Sequence, residues 1–143
     1  MNRQRVVQQG FTLIEVMVVV VILGILAAIV VPKVMDRPDQ ARATKARTDI
    51  AAIENALNLY KLDNYTYPNT SEGLEALVTP PSGDRAKTWK SGGYLQRVPK
   101  DPWQRPYQYV SPGVHGTIDI YTQGADGQPG GDGPNADIGN WDL

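Results

Sequence analysis

At 143 residues with a formal net charge of −1, the chain has room for one membrane segment and one small domain, and nothing global points to a nucleic-acid partner. It contains no cysteine, which excludes a disulfide framework, a thiol nucleophile and a zinc–thiolate site. The charge is unevenly spread. The last Lys or Arg is Arg105, and beyond it come Asp119, Asp126, Asp132, Asp137 and Asp142. Such an acidic tail serves either as solubilising charge or as a source of oxygen ligands for a hard cation.

The first predicted element is a membrane helix. From Phe11 to Val31 only Thr12 and Glu15 are clearly polar. A helix of that length reaches about 30 Å, one hydrocarbon core. Arg3 and Arg5 precede the run, which predicts a cytoplasmic N-terminus and a C-terminal domain on the far side. A secretory signal would have a shorter apolar core with small residues at a cleavage site after it. Here Ala27 and Ala28 are followed by Ile29, Val30 and Val31, and the small residue that stands out, Gly10, comes before the run. A carboxylate in hydrocarbon is costly, so Glu15 needs a route to water at the interface or a cationic partner. A cut between Gly10 and Phe11 would create such a cation, the new α-amino group, on each chain.

Pro32 and Pro38 are expected to interrupt or loosen the helix, because each lacks a backbone donor. Beyond them Ala46, Ile50, Ile53, Leu57 and Tyr60 recur at spacings of four, three, four and three. That stripe predicts an amphipathic helix over 38–62 whose apolar face packs on its own domain. Next, "NTSEGLEAL" predicts a short helix with Ser71 as its N-cap and Glu72 and Glu75 near the positive end. The segment 80–93, rich in Pro and Gly, reads as a loop. Two strands follow, over Tyr107–Val110 and within "TIDIYTQ", joined through "SPGVHG" as an antiparallel hairpin that covers the helix stripe. Trp103 and Tyr107 read as core aromatics.

The span "DGQPGGDGPNAD" runs from Asp126 to Asp137 and has the length of an EF-hand loop, with Gly131 at the sixth position. Its third and fifth positions are Gln128 and Gly130, the twelfth is Asp rather than Glu, and a strand precedes it, so it is not an EF-hand. By residue type alone it is either a solvated flexible loop or one ordered by a divalent cation. Catalysis finds little support. His115 is the sole histidine, and no Gly-x-Ser-x-Gly, P-loop or His-Glu-x-x-His pattern occurs. Paired carboxylates need no short motif, so composition leaves an acid-only hydrolase open.

The stretch "GFTLIEVMVVVVILGILAAIVVPKV" resembles the class III signal of type IV pilins and type II secretion pseudopilins. "YKLDNYTYPNTSEGLEAL", "DPWQRPYQYVSPG" and "GADGQPGGDGPNADIGNW" resemble the major pseudopilins in particular. The resemblance implies an α+β, type IV pilin-like lollipop: a long N-terminal helix packed on a small antiparallel sheet, with a C-terminal loop. It implies a leader, residues 1–10, removed after Gly10 by a prepilin peptidase that also N-methylates Phe11. It further implies a transmembrane and assembly helix over 11–31, and a periplasmic head over 32–143. Glu15 would neutralise the N-terminus of a neighbouring subunit during assembly. The implied protein is non-enzymatic, a homopolymer in the inner membrane acting with minor pseudopilins, an inner-membrane assembly platform and an outer-membrane secretin to export folded proteins. The resemblance also implies a structural Ca2+ held by Asp126 and Asp137, with the Gln123 carbonyl as a candidate donor and Asp132 less clearly matched. The runners-up are a type IV pilin of a surface fibre, which commonly closes its C-terminal loop with a disulfide, and a membrane-anchored binding domain that never polymerises.

Overall fold

The structure, a computed structural model, describes residues 10–143, without the side chains of 31–37. Arg3 and Arg5, on which the expected orientation rests, lie outside the described residues, as does nearly all of the expected leader. The chain divides after Arg37 into two units.

Helix α1 is assigned from Leu13 to Asn64. In the first unit its window Leu13–Val30 is long and apolar enough to cross a membrane. Every side chain there is exposed, and the apolar character runs round the whole helix, the pattern of a segment that meets lipid or partner helices rather than its own domain. The helix starts where Thr12 accepts a hydrogen bond from the Glu15 backbone N–H through its hydroxyl (3.3 Å), an N-cap. Pro32 and Pro38, expected to interrupt the helix, fall inside α1. Each removes a single donor, and good helix formers such as Ala41, Arg42 and Ala43 carry the pattern on.

In the second unit the part of α1 from Pro38 onward supplies the core. Ala46, Ile50, Ile53, Leu57 and Tyr60, the whole predicted stripe, are each 0% exposed. They pack with Leu74, Leu77, Tyr107, Tyr109, Ile118, Ile120 and Ile138. The helix ends on a left-handed Tyr65 (φ 64). The Asn64 side-chain amide closes that end by donating to the Tyr60 carbonyl (2.9 Å) and the Tyr94 hydroxyl (3.0 Å).

Three strands form one antiparallel sheet in the order β1 (Gln108–Val110), β2 (Asp119–Thr122), β3 (Ile138–Gly139). Tyr109 stands opposite Ile120, and Thr122 opposite Ile138. With a side-chain period of two, this register turns Tyr109, Ile120, Thr122 and Ile138 to one face, and all four are buried. The predicted hairpin is therefore present, and β3 is an addition from the far end of the acidic loop.

The short helix expected near Ser71 is present, but its expected cap at Ser71 is corrected. The element there is a 3-10 helix over Leu74–Leu77 preceded by Gly73, with no side-chain cap. Asn69 takes the role one turn earlier: its carboxamide accepts from the Glu72 N–H (2.8 Å) while the Glu72 carboxylate accepts from the Asn69 N–H (2.9 Å). Ser71 donates its hydroxyl to Asn69 instead (2.6 Å). Asn, Ser and Glu compete for the same donors, and the reciprocal Asn-x-x-Glu pair satisfies two at once. The 80–93 segment contains a further 3-10 turn, Gly83–Lys87, pinned by Arg85 to Glu72 at 2.7 Å and 2.9 Å.

Candidate functional sites

Two regions carry the residues singled out from sequence. At the start of α1, a Cβ on Gly10 would meet nothing within 4 Å among the described residues, Phe11 is 84% exposed, and Glu15 sits in the first turn of the helix. A carboxylate in the first turn lies in the favourable field of the helix N-terminus. The Thr12 cap was not foreseen. Its signal, Thr-x-x-Glu immediately before an apolar run, was present in the sequence.

The second region is the loop between β2 and β3, which leaves the sheet at Thr122 and returns at Ile138. The Gln123 carbonyl accepts from the Gly127 N–H (3.1 Å), closing a tight turn. Asp126, within that turn, accepts from the Gln128 N–H (3.0 Å). Asp137 is tied to Gly130 in both directions: Oδ2 accepts from the Gly130 N–H (2.9 Å), and its own N–H donates to the Gly130 carbonyl (3.2 Å). Its Oδ1 is buried and has no hydrogen-bond partner. Asp132 precedes the 3-10 turn Gly133–Asn135 and does not cap it with its side chain; its carbonyl accepts from Asn135 (3.1 Å). Among the described residues no group of three or more His, Asp or Glu side chains converges to hold a metal. The two limbs of the loop touch at Gly124 (φ 59), where a Cβ would lie 2.5 Å from the Asn135 carbonyl, so glycine is required.

The loop is anchored from outside by the "DPWQRP" segment. Asp101, 1% exposed, accepts from the backbone N–H groups of Trp103 (2.9 Å) and Arg105 (2.8 Å) and from the Thr122 hydroxyl (2.6 Å). The Arg105 guanidinium donates through Nη2 to the Gly124 carbonyl.

The sole histidine has a structural setting. Asp119 accepts from the Val114 N–H (2.8 Å) and the His115 N–H, and pairs with His115 Nδ1 at 3.0 Å. The imidazole stacks on Trp141, centroids 3.9 Å apart and planes 21° apart. Burial alone would raise the Asp119 carboxyl. The hydrogen bonds from the His115 and Val114 backbone and from the His115 ring outweigh it and hold the group below the usual aspartate value. This cluster locks the hairpin turn and the C-terminal segment together.

Comparison with known proteins begins with the N-terminal helix: residues 5–31 match the prokaryotic N-terminal methylation motif. Residues 33–141 match the family model described as type II secretion system protein G. The chain is 61% identical to the type II secretion system core protein G of Pseudomonas aeruginosa over 97% of this chain and 99% of that one. It is 60% identical to that of Vibrio cholerae over 95% and 93%. The major pseudopilin of the type 2 secretion system of enterohaemorrhagic Escherichia coli, known from a crystal structure, superposes with a TM-score of 0.68 at 42% identity, over 80% of this chain and 98% of that one. The chain belongs to the type II secretion system protein G family, the major pseudopilins.

Proposed function

We propose that this chain is the repeating, non-enzymatic subunit of a periplasmic pseudopilus, processed at Gly10–Phe11 and assembled through Glu15. The observation that carries the reading is the first turn of α1: Phe11 and Glu15 stand directly ahead of an apolar segment with no buried face. Such a segment finds its packing in a bilayer before assembly and against other copies afterwards. Processing leaves an ammonium group on Phe11, and in a low-dielectric bundle the Glu15 carboxylate of a neighbour is its natural counter-ion. Pairing the two removes two desolvated charges at one stroke and fixes the axial stagger between copies. The head faces the periplasm, and growth of the fibre proceeds with minor pseudopilins on the assembly platform, toward the secretin. N-terminal mass spectrometry of the membrane-purified protein tests the reading: it should begin at N-methylated Phe11. An intact Met1 in cells with an active prepilin peptidase would sink it.

The β2–β3 loop supports a second element of the proposal, a structural Ca2+. The buried, unpartnered Oδ1 of Asp137 is the supporting observation, because such an oxygen is costly unless something satisfies it. Asp137 and Asp126 would supply carboxylates, and Gln123 a carbonyl, an all-oxygen donor set suited to a hard cation. When bound, the ion supplies positive charge that offsets the mutual repulsion of the loop's aspartates. Asp132, whose side chain does not cap the following turn, could add a further carboxylate.

A further inference from the structure

We infer that Arg105 is a positioning residue for cation capture: its guanidinium pre-forms the Gln123–Gly127 turn before any cation arrives. The inference rests on the calcium reading of this loop. Four features carry it. The first is that the arginine is itself held rigidly. Its N–H donates to Asp101 Oδ1 (2.8 Å), its carbonyl accepts from the Asp101 N–H (2.8 Å), and Nε lies 3.6 Å from Asp101 Oδ2. Asp101 in turn is bonded to Thr122 in β2, so the guanidinium is referenced to the sheet.

The second is the contact it makes with the loop. Nη2 donates to the Gly124 carbonyl, and Nη1 fills the space that a side chain on residue 127 would need. Gly127 (φ 68) therefore serves two purposes, a left-handed turn and room for the guanidinium. The third is that the turn's other hydrogen bonds stay within the β2–β3 loop, Gly127 to Gln123, Gln128 to Asp126 and Ala125 N–H to the Pro134 carbonyl (2.9 Å), so that Arg105 is what ties the turn to the sheet. Local bonds in a glycine-rich segment leave much backbone entropy to be lost when a ligand binds.

The fourth feature decides the sign. A cation beside a calcium site can weaken binding by repulsion or strengthen it by preorganisation. Among the described residues Arg105 is ion-paired with Asp101, not with Asp126 or Asp137. Its charge is thus offset by a buried partner, and the loop's carboxylates are left for a cation. Preorganisation wins.

The test uses the full chain in detergent, stripped with chelator and titrated with calcium chloride by calorimetry, beside Arg105→Met, Arg105→Lys and Gly127→Ala. Hydrogen exchange at residues 124–128 is followed in the calcium-free state. Arg105→Met and Gly127→Ala should bind calcium roughly tenfold more weakly, the scale of leaving one further residue to be ordered on binding. Their calcium-free exchange should be faster than in wild type. Arg105→Lys keeps the charge but lacks the two-armed fork, and should resemble Arg105→Met. Equal or tighter calcium binding in Arg105→Met would overturn the inference, as would a lowered calcium-free melting point with an unchanged Kd. Wild type that binds no calcium would remove the calcium reading itself, a result distinct from calcium binding that ignores Arg105.

Discussion

The two parts of helix α1 solve the same chemical problem in different solvents. Leu13–Val30 is apolar on every face and buries nothing within the chain. From Pro38 to Asn64 the apolar residues are confined to one stripe, and that stripe is buried against the chain's own sheet. A helix that lacks a polar face cannot be satisfied by one small domain, whereas a single stripe can. Substitutions in the first part should therefore register in assembly, and those in the second in the stability of the head.

The sharpest separation comes from Glu15→Ala. It should abolish or severely reduce pseudopilus formation and secretion while leaving membrane insertion intact, since a costly charge is removed. The melting point of the detergent-solubilised chain should stay at the wild-type value. Normal filaments from this variant, seen by electron microscopy, would refute the pairing with the Phe11 amine.

Leu57→Ala is the counterpart in the stripe. Leu57 is 0% exposed, and truncation of such a side chain costs about 2–5 kcal/mol. Urea titration should show the midpoint falling with the slope unchanged. A variant at wild-type stability would mean that the stripe is not the core.

Calcium should act on the head alone. A ligand at a hundredfold excess over Kd adds about 2.7 kcal/mol to the folded state. Chelator should lower the melting point by about 10 °C or more, since about 1 kcal/mol moves a domain of this size by roughly 4–8 °C. Asp126→Ala and Asp137→Ala should each remove that response, and Asp132→Ala should reduce it less. Superimposable melts with and without chelator would take calcium out of the account.

The smallest effect concerns acid. The folded Asp119 carboxyl lies below its ordinary value, so its hydrogen bonds contribute stability that is fully present above about pH 4 and is lost as pH falls through the folded value. Asp119→Asn should be less stable near neutrality and should show a shallower loss of stability below pH 4. An acid limb identical to that of wild type would contradict the cluster drawn around His115.

Every residue of the α1 stripe named from periodicity is buried, because a buried face at helical spacing leaves a clear pattern, while Ala56, also in the core, was not named. Strands β1 and β2 were legible from alternation and β-branched or aromatic residues between turn signals, with boundaries shifted by a residue or two. Strand β3 was not: two residues cannot alternate, and Ile138–Gly139 becomes a strand only because β2 offers it an edge. The turn at Asn69 was misassigned to Ser71 because residue types alone do not rank competing caps. The Arg105–Gly124 contact joins residues 19 apart in sequence, and no local pattern announces it.

One hydrogen bond also orders events in time. Asn140 donates to Glu54 (3.2 Å) across 86 residues of chain, while Ile138, two positions earlier, completes the buried face of the sheet. Contacts so distant in sequence form late and slow the search for the native state. The cover over the α1 stripe is therefore incomplete until Ile138 and Asn140 have been delivered. A subunit truncated before Ile138 would present a helix whose apolar face is only partly covered, a substrate for quality-control proteases rather than for the growing fibre.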